Sequence, residues 1–275
     1  MSDARDTGLS FVKMHGLGND FVVIDRRAQT VALSPAEIRH LCDRRFGVGC
    51  DLMCFIDPSD SAAARLSFFN ADGSAAQACG NAARCAARLL GGDVVEMEGP
   101  VGALRVERPG PGLYSINMGQ PATGWQDIPL SEAADTLALP IEGAPMAVGI
   151  GNPHMIFDVP DADATDPADR GPALERHALF PERTNVEFAS VIGPDRIRMR
   201  VWERGCGITM ACGSGACATL VAFHRKGLVG RRADLVLDGG TLGIDWRDDG
   251  VWMTGPASHV CNGTLATDFF DGVRA

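Results

Sequence analysis

No apolar run in the 275 residues approaches the roughly 18 needed to span a bilayer. The opening Met1-Ser2-Asp3-Ala4-Arg5-Asp6-Thr7-Gly8 is polar and carries acids, so a secretory leader is not expected there. A cytoplasmic protein without a membrane partner is expected. Also missing is any basic stripe interleaved with aromatics: 25 Lys and Arg stand against 35 Asp and Glu, a net charge of −10 that excludes nucleic acid as a natural partner. There is no Cys-x-x-Cys and no His-x3-5-His, although nine cysteines are present. Cys50-x3-Cys54 and Cys206-x5-Cys212-x4-Cys217 have no matching second pair, so neither a zinc site nor a dithiol redox motif is expected. The odd count without an export signal reads as reduced thiols, most of them small buried hydrophobes.

What is present centres on Val201-Trp202-Glu203-Arg204-Gly205-Cys206-Gly207-Ile208-Thr209-Met210-Ala211-Cys212-Gly213-Ser214-Gly215. It reads as a short strand, a charged pair, a glycine-broken loop and a cysteine at the start of a small-residue helix. The positive end of that helix predicts a lowered thiol pKa at Cys212, and its unpaired N–H groups offer a place for an anion. Ala78-Cys79-Gly80-Asn81-Ala82-Ala83-Arg84-Cys85 opens a second such helix, which Gly91-Gly92 ends. Strands are predicted at 9–15, 21–25, 52–56, 66–69, 93–97, 103–106, 113–118 and 233–238, with a hairpin over 242–255. Ser34-Pro35-Ala36-Glu37 carries the letters of a capped helix.

The second half restates the first. Cys212 lies 133 positions after Cys79, Asn152 lies 133 after Asn19, and Glu203 lies 133 after Asn70. At the same offset Gly149-Ile150-Gly151-Asn152 falls on Gly16-Leu17-Gly18-Asn19, Asp158 on Asp25, and Asn185 on Leu52. An ordered series at one offset predicts two similar lobes. Many short strands with one or two helices each make the fold class α+β, with mixed and antiparallel strands around a central helix in each lobe. The proline- and acid-rich run 119–145 marks the crossing, giving an N-terminal lobe 1–121, with the tail 263–275 packing back on it, and a C-terminal lobe 122–262. A ligand cleft is expected between them.

Two homologous helix starts, each with a thiol, suit removal of a proton from one face of a carbon and its return to the other. That is racemisation or epimerisation, and a carboxylate held by helix N-termini would let it run without a cofactor. Cys85 and Cys217, inside the helices, read as packing residues.

Six ordered segments resemble diaminopimelate epimerases: Lys13-Met14-His15-Gly16-Leu17-Gly18-Asn19-Asp20-Phe21, Asn70-Ala71-Asp72-Gly73-Ser74, Cys79-Gly80-Asn81-x2-Arg84-Cys85, Gly151-Asn152-Pro153-His154, Arg183-Thr184-Asn185-Val186-Glu187-Phe188, and Glu203 to Gly215. The resemblance runs from about residue 10 to 260. It implies cofactor-independent interconversion of LL- and meso-2,6-diaminopimelate in lysine and cell-wall precursor synthesis, two pseudo-symmetric lobes and a homodimer. Matched position by position, it makes Cys79 and Cys212 the acid–base pair, with His154 and Glu203 as polar neighbours tuning the thiols. Gly80, Asn81, Gly213 and Ser214 would hold the reacting carboxylate. Asn19, Asn70, Asn152, Asn185, Glu203 and Arg204 would recognise the distal amino-acid group. No metal ligand is implied. Leu52 departs from a glutamine found in many members, and Ala78 from a larger apolar residue. The alternatives are a proline or hydroxyproline racemase-like isomerase, against which Asn81 and the Glu203-Arg204 pair speak, and a thiol redox or metal-binding protein. Nearby thiols would also allow a Cys79–Cys212 disulfide.

Overall fold

The computed structural model describes residues 2, 3 and 8–274; residues 1, 4–7 and 275, which carry part of the polar leader and the end of the tail, lie outside them. The first half of the chain runs β1 (Ser2–Asp3), β2 (Leu9–Gly16), β3 (Asn19–Asp25), β4 (Gln29–Thr30), α1 (Pro35–Cys42), β5 (Leu52–Asp57), β6 (Arg65–Asn70), β7 (Ala75–Ala76), α2 (Gly80–Leu90), β8 (Val94–Gly99), β9 (Gly102–Gly110) and β10 (Leu113–Asn117). The second runs β11 (Met146–Gly149), β12 (Pro153–Asp158), α3 (Pro167–Leu174), β13 (Asn185–Gly193), β14 (Arg196–Glu203), β15 (Gly207–Ile208), α4 (Gly213–Arg225), β16 (Arg232–Leu237), β17 (Gly240–Arg247), β18 (Gly250–Pro256), β19 (Ser258–Leu265) and α5 (Asp271–Arg274). The class is α+β.

The chain forms two compact units, residues 1–116 with 256–275 and residues 117–255. The first unit's sheet is ordered β19-β2-β3-β5-β6-β8-β9-β10, with β7 beside β6. The chain returns to it at Pro256, and β19 pairs antiparallel along β2 from Ser258↔His15 to Leu265↔Leu9. The second unit opens at Asn117, where Asn117 Nδ2 donates to the Asp249 carbonyl and the Met118 amide to the Val251 carbonyl. That unit's sheet is ordered β11-β12-β13-β14-β16-β17-β18, with β15 beside β14.

The repeat is kept down to strand register. Phe21 pairs with Leu52, and His154 with Asn185; Met53 pairs with Phe69, and Val186 with Trp202; Phe69 pairs with Ala75, and Trp202 with Ile208. Each second pair stands 133 residues after the first. Beyond the central helices the pairs Val94↔Glu107 and Arg232↔Asp245 are 138 apart, because α4 has 13 residues against 11 in α2 and a longer turn follows.

Both faces of the middle strands are covered, so they are apolar without alternation. In the first unit Val22, Ile24, Met53 and Phe55 share a core with Ile38 and Leu41 of α1. The opposite parity, Phe21, Val23, Cys54 and Ile56, is equally buried on the side of α2. The second unit repeats this: Met155, Phe157, Val186 and Phe188 pack with Leu174, Leu179 and Phe180, leaving His154, Ile156, Asn185 and Glu187 on the side of α4. The central helices tolerate this enclosure because many of their residues are small, five of 11 in α2 and five of 13 in α4 being alanine or glycine.

Helix α1 starts as its sequence predicts. Ser34 Oγ accepts from the Glu37 amide at 3.3 Å, and Glu37 Oε2 accepts from the Ser34 amide at 2.7 Å. Helix α3 was not expected, although it has the same signal: Asp166 caps it, accepting from the Ala168 amide at 3.0 Å, and Pro167 follows. Strand β19 also lacked a sequence signal, being largely exposed, with Asn262 and Gly263 inside it.

Candidate active site

Each central helix is capped by its cysteine. Cys79 has extended backbone, φ −153° and ψ 98°, and its Sγ accepts from the Ala82 amide at 3.5 Å. Cys212, at φ −102° and ψ 110°, accepts from the Gly215 amide at 3.3 Å, and its Sγ lies 3.6 Å from Ser214 Oγ. A sulfur thus takes the capping place usually held by a serine or aspartate oxygen. The amides of Gly80 and Asn81, and of Gly213 and Ser214, come next to these sulfurs in the first turns, whose N–H groups lack intrahelical acceptors in any α-helix.

Around Cys79 amides come first and charged groups lie behind them. Asn81 Nδ2 donates to Asn19 Oδ1 at 3.1 Å, and Asn19 Nδ2 donates to Asp51 Oδ2 at 3.0 Å. Asp51 and Asp20 are bridged by Arg44 at 2.6 and 2.8 Å, and Lys13 joins Asp20 at 2.6 Å. Burial raises the Asp20 pKa, but the hydrogen bonds from Arg44 and Lys13 outweigh it and bring the pKa down to about 2. Asn70 ends β6 in a tight turn: its amide donates to Ser74 O at 2.8 Å and its Nδ2 to Ser74 Oγ at 3.0 Å. Leu52, almost fully buried, sits between Phe21 and Asn70. Cys54 lies behind, its pKa pushed up by burial and then by the neighbouring Cys79 and Cys85.

Around Cys212 the groups are ionisable. His154 is fully buried; its Nδ1 lies 2.6 Å from Glu187 Oε1 and its Nε2 lies 2.9 Å from Asn152 Oδ1. Glu203 accepts from the Thr209 hydroxyl. Burial raises the Glu203 pKa, the Thr209 hydrogen bond opposes this, and Glu187 adds to the rise. Cys212 departs from the lowered pKa expected of a helix-start thiol. Burial, then Glu203 and Glu187, push it well above the ordinary thiol value, and the Gly215 amide and Ser214 hydroxyl do not win it back. The direction favours the protonated form of this sulfur.

The loop bearing Glu203 and Arg204 is held from beneath. Buried Glu175 accepts from Trp202 Nε1 at 2.8 Å and from the Gly205 amide at 3.2 Å, with Arg183 at 3.6 Å. Asn185 uses both ends of its amide internally, donating to Pro153 O at 2.9 Å and accepting from the Arg204 amide at 2.9 Å. Arg204 itself is half-buried and donates to Glu182 O at 3.0 Å.

The family model described as Diaminopimelate epimerase matches residues 11–121 and 146–260. The chain belongs to the diaminopimelate epimerase family. Two relatives bearing that name, from Acidiphilium cryptum and Gluconobacter oxydans, are 51% and 52% identical to it. The matches cover 93% and 94% of this chain and 95% and 99% of those relatives. Among solved structures, one titled a predicted epimerase from Pseudomonas aeruginosa has a TM-score of 0.68 at 21% identity, covering 94% of this chain and 99% of that one. One titled a probable proline racemase from Agrobacterium radiobacter has 0.66 at 15%, covering 96% and 94%. At such identities they share the fold.

Within this diaminopimelate epimerase fold, the first unit brings together Asn19, Asn81, Gly80 and Cys79, with Leu52 and Asn70 paired beside them. The second brings together Asn152, His154, Glu203, Gly213, Ser214 and Cys212, while Asn185 underpins Arg204. Sequence reasoning missed two residues. Glu187 stands two positions after Asn185 on one strand, hence on the same face, and is the one charge in the run Val186-Glu187-Phe188-Ala189. Glu175 follows α3, which was itself missed. Among the described residues no group of three or more His, Cys, Asp or Glu could hold a metal ion, and no helix is long and apolar enough to cross a membrane.

Proposed function

We propose that the chain interconverts LL- and meso-2,6-diaminopimelate by a cofactor-independent, two-cysteine exchange of the α-proton, serving lysine and peptidoglycan precursor synthesis in the cytoplasm. The observation that carries the reading is the pair of cysteines 133 residues apart, each capping a glycine-started central helix through a backbone N–H. A thiolate takes the α-proton from one face, and a thiol supplies one to the other. The carbanion left between these events is stabilised if its carboxylate is held by helix-start N–H groups, which carry about half a positive charge per helix. Gly80 and Asn81, with Gly213 and Ser214, are assigned that task. Asn19, Asn70, Asn152 and Arg204 are assigned to the distal amino-acid group, with Asn185 holding the Arg204 backbone. A guanidinium suits its carboxylate, and amide and carboxylate oxygens suit its ammonium. Two lobes bounded near the unit edges and a homodimer belong to the same reading, the latter checked by sedimentation.

The test is turnover in heavy water with LL-diaminopimelate, beside L-proline as a control. The expected result is deuterium at the inverted α-carbon of diaminopimelate, none in proline, and loss of exchange in Cys79→Ala and Cys212→Ala. Label entering diaminopimelate no faster than in an enzyme-free blank would overturn the assignment; label entering proline instead would replace it with a proline racemase.

A further inference from the structure

The two capping thiols sit in unlike surroundings, and the repeat makes the comparison position by position. Glu187 falls on Cys54, His154 on Phe21, Glu203 on Asn70, Thr209 on Ala76, and Gly215 on Ala82. Each group able to act on the Cys212 proton is therefore replaced, in the first unit, by one that cannot carry a negative charge at neutral pH.

Glu187 is the least expected of them. It is fully buried in a middle strand, where an unpaired carboxylate costs several kcal/mol. His154 Nδ1 meets its Oε1 at 2.6 Å, yet its Oε2 is buried with no hydrogen-bond partner. Most buried carboxylate oxygens in folded proteins are hydrogen-bonded, so the open Oε2 sets Glu187 apart. Its position is set by α4: a Cβ added to Gly215 would lie 2.5 Å from Glu187 Oε1 and 3.2 Å from Cys212 Sγ. Residue 215 is thus glycine where the carboxyl needs the room, and the matching residue is Ala82 where Cys54 makes no such demand. Gly215 also supplies the N–H that Cys212 accepts, so carboxyl, amide and thiol form one cluster.

We propose that Glu187 is a positioning residue for the epimerisation, fixing His154 through Oε1 and, across Gly215, setting the proton affinity of Cys212. This rests on the two-cysteine reading above. The groups facing Cys212 are Glu187 from β13, Glu203 from β14, His154 from β12, and Ser214 and the Gly215 amide from α4. Of these Glu203 is tied to Thr209 and Glu187 to His154, so each carboxyl has its own hydrogen-bond anchor, while Glu187 also raises the Glu203 pKa. Burial raises the Glu187 pKa and the His154 contact opposes this; in its ionised form the carboxylate disfavours the nearby thiolate, so removing it favours the thiolate. The direction agrees with the raised Cys212 pKa, to which Glu187 contributes.

The experiment measures alkylation by iodoacetamide of each cysteine, resolved by peptide mass spectrometry, in full-length protein without substrate. Below the midpoint, the rate follows the thiolate fraction. At about pH 8, Glu187→Gln, which keeps an acceptor for His154, should alkylate at Cys212 about tenfold faster than wild type, a shift of one pKa unit. Cys79 should stay within about twofold, and Glu187→Asp, which keeps the charge, should leave Cys212 slow. A Cys212 rate unchanged in Glu187→Gln overturns the proposal. So does a rise shared equally by Cys79, or the same rise in Glu187→Asp, since either reports loosened packing. If Glu187→Gln does not fold, the uncharged Glu187→Met takes its place: a Cys212 rate no faster than wild type overturns the proposal, and a rise confined to Cys212 supports it. No arm requires turnover, so failure of the substrate assignment would show separately, in the heavy-water assay.

Discussion

Gly215→Ala is a one-methyl test of how closely carboxyl, thiol and helix are fitted. The new Cβ would stand 2.5 Å from Glu187 Oε1, and 3.2 Å from both Glu187 Cδ and Cys212 Sγ, where ordinary contacts begin at 3.4 Å. Glu187 is fully buried and held at 2.6 Å by His154, so it has no flexible end to swing aside. Overpacking costs about 1–3 kcal/mol, and breaking a charge-assisted hydrogen bond costs about 1.5–3 kcal/mol. The better helix propensity of alanine returns at most about 1 kcal/mol. The net expectation is a loss of roughly 2–4 kcal/mol, or a fall in Tm of roughly 5–15 °C for units of this size. The assay is urea and thermal unfolding followed by circular dichroism, with Ala82→Gly as the matched change in the other unit. That control should lose only about 0.5–1 kcal/mol, the backbone-entropy cost of a helical glycine. A Gly215→Ala protein as stable as wild type would refute the argument, because it would mean the carboxyl is not where these distances put it.

Two further outcomes follow from buried charges. Glu175→Ala leaves Trp202 Nε1 and the Gly205 amide without their acceptor, so about 2–5 kcal/mol of stability should go, together with a shift in tryptophan emission; a loss under 1 kcal/mol would contradict the clamp assigned to Glu175. Asp20 has a folded-state pKa of about 2, below its ordinary 3.8, so its contribution is complete above about pH 4 and fades as pH falls toward 2. With the exposure of Arg44 allowed for, that contribution is on the order of 1–2 kcal/mol, and Asp20→Asn should be less stable than wild type at pH 7 by about that much but equal to it near pH 2.

Much was legible in the chain itself. The 133-residue offset survives as strand register, because pairing depends on residue order and an unbroken offset keeps the order on both strands of each pair. Helices α1, α2 and α4 were readable from their caps and glycine ends, which are local. Helix α3 carries a local start signal of the same kind, Asp166-Pro167, within an acid-rich stretch. Strand β19 could not be read, since its residues are exposed and acquire strand geometry only by pairing with β2, about 250 residues earlier.

Sequence by itself therefore determined the repeat, the class, the two capping cysteines and the set of amides around them, because all rest on spacing and local backbone chemistry. Tertiary structure decided the electrostatics. Helix position alone argues for an activated Cys212, and only burial beside Glu203 and Glu187 raises its proton affinity instead. A carboxylate's influence on a thiol depends on solvent being excluded from the space between them. That exclusion comes from strands β12, β13 and β14 closing over the start of α4, which no reading of residues in order can supply.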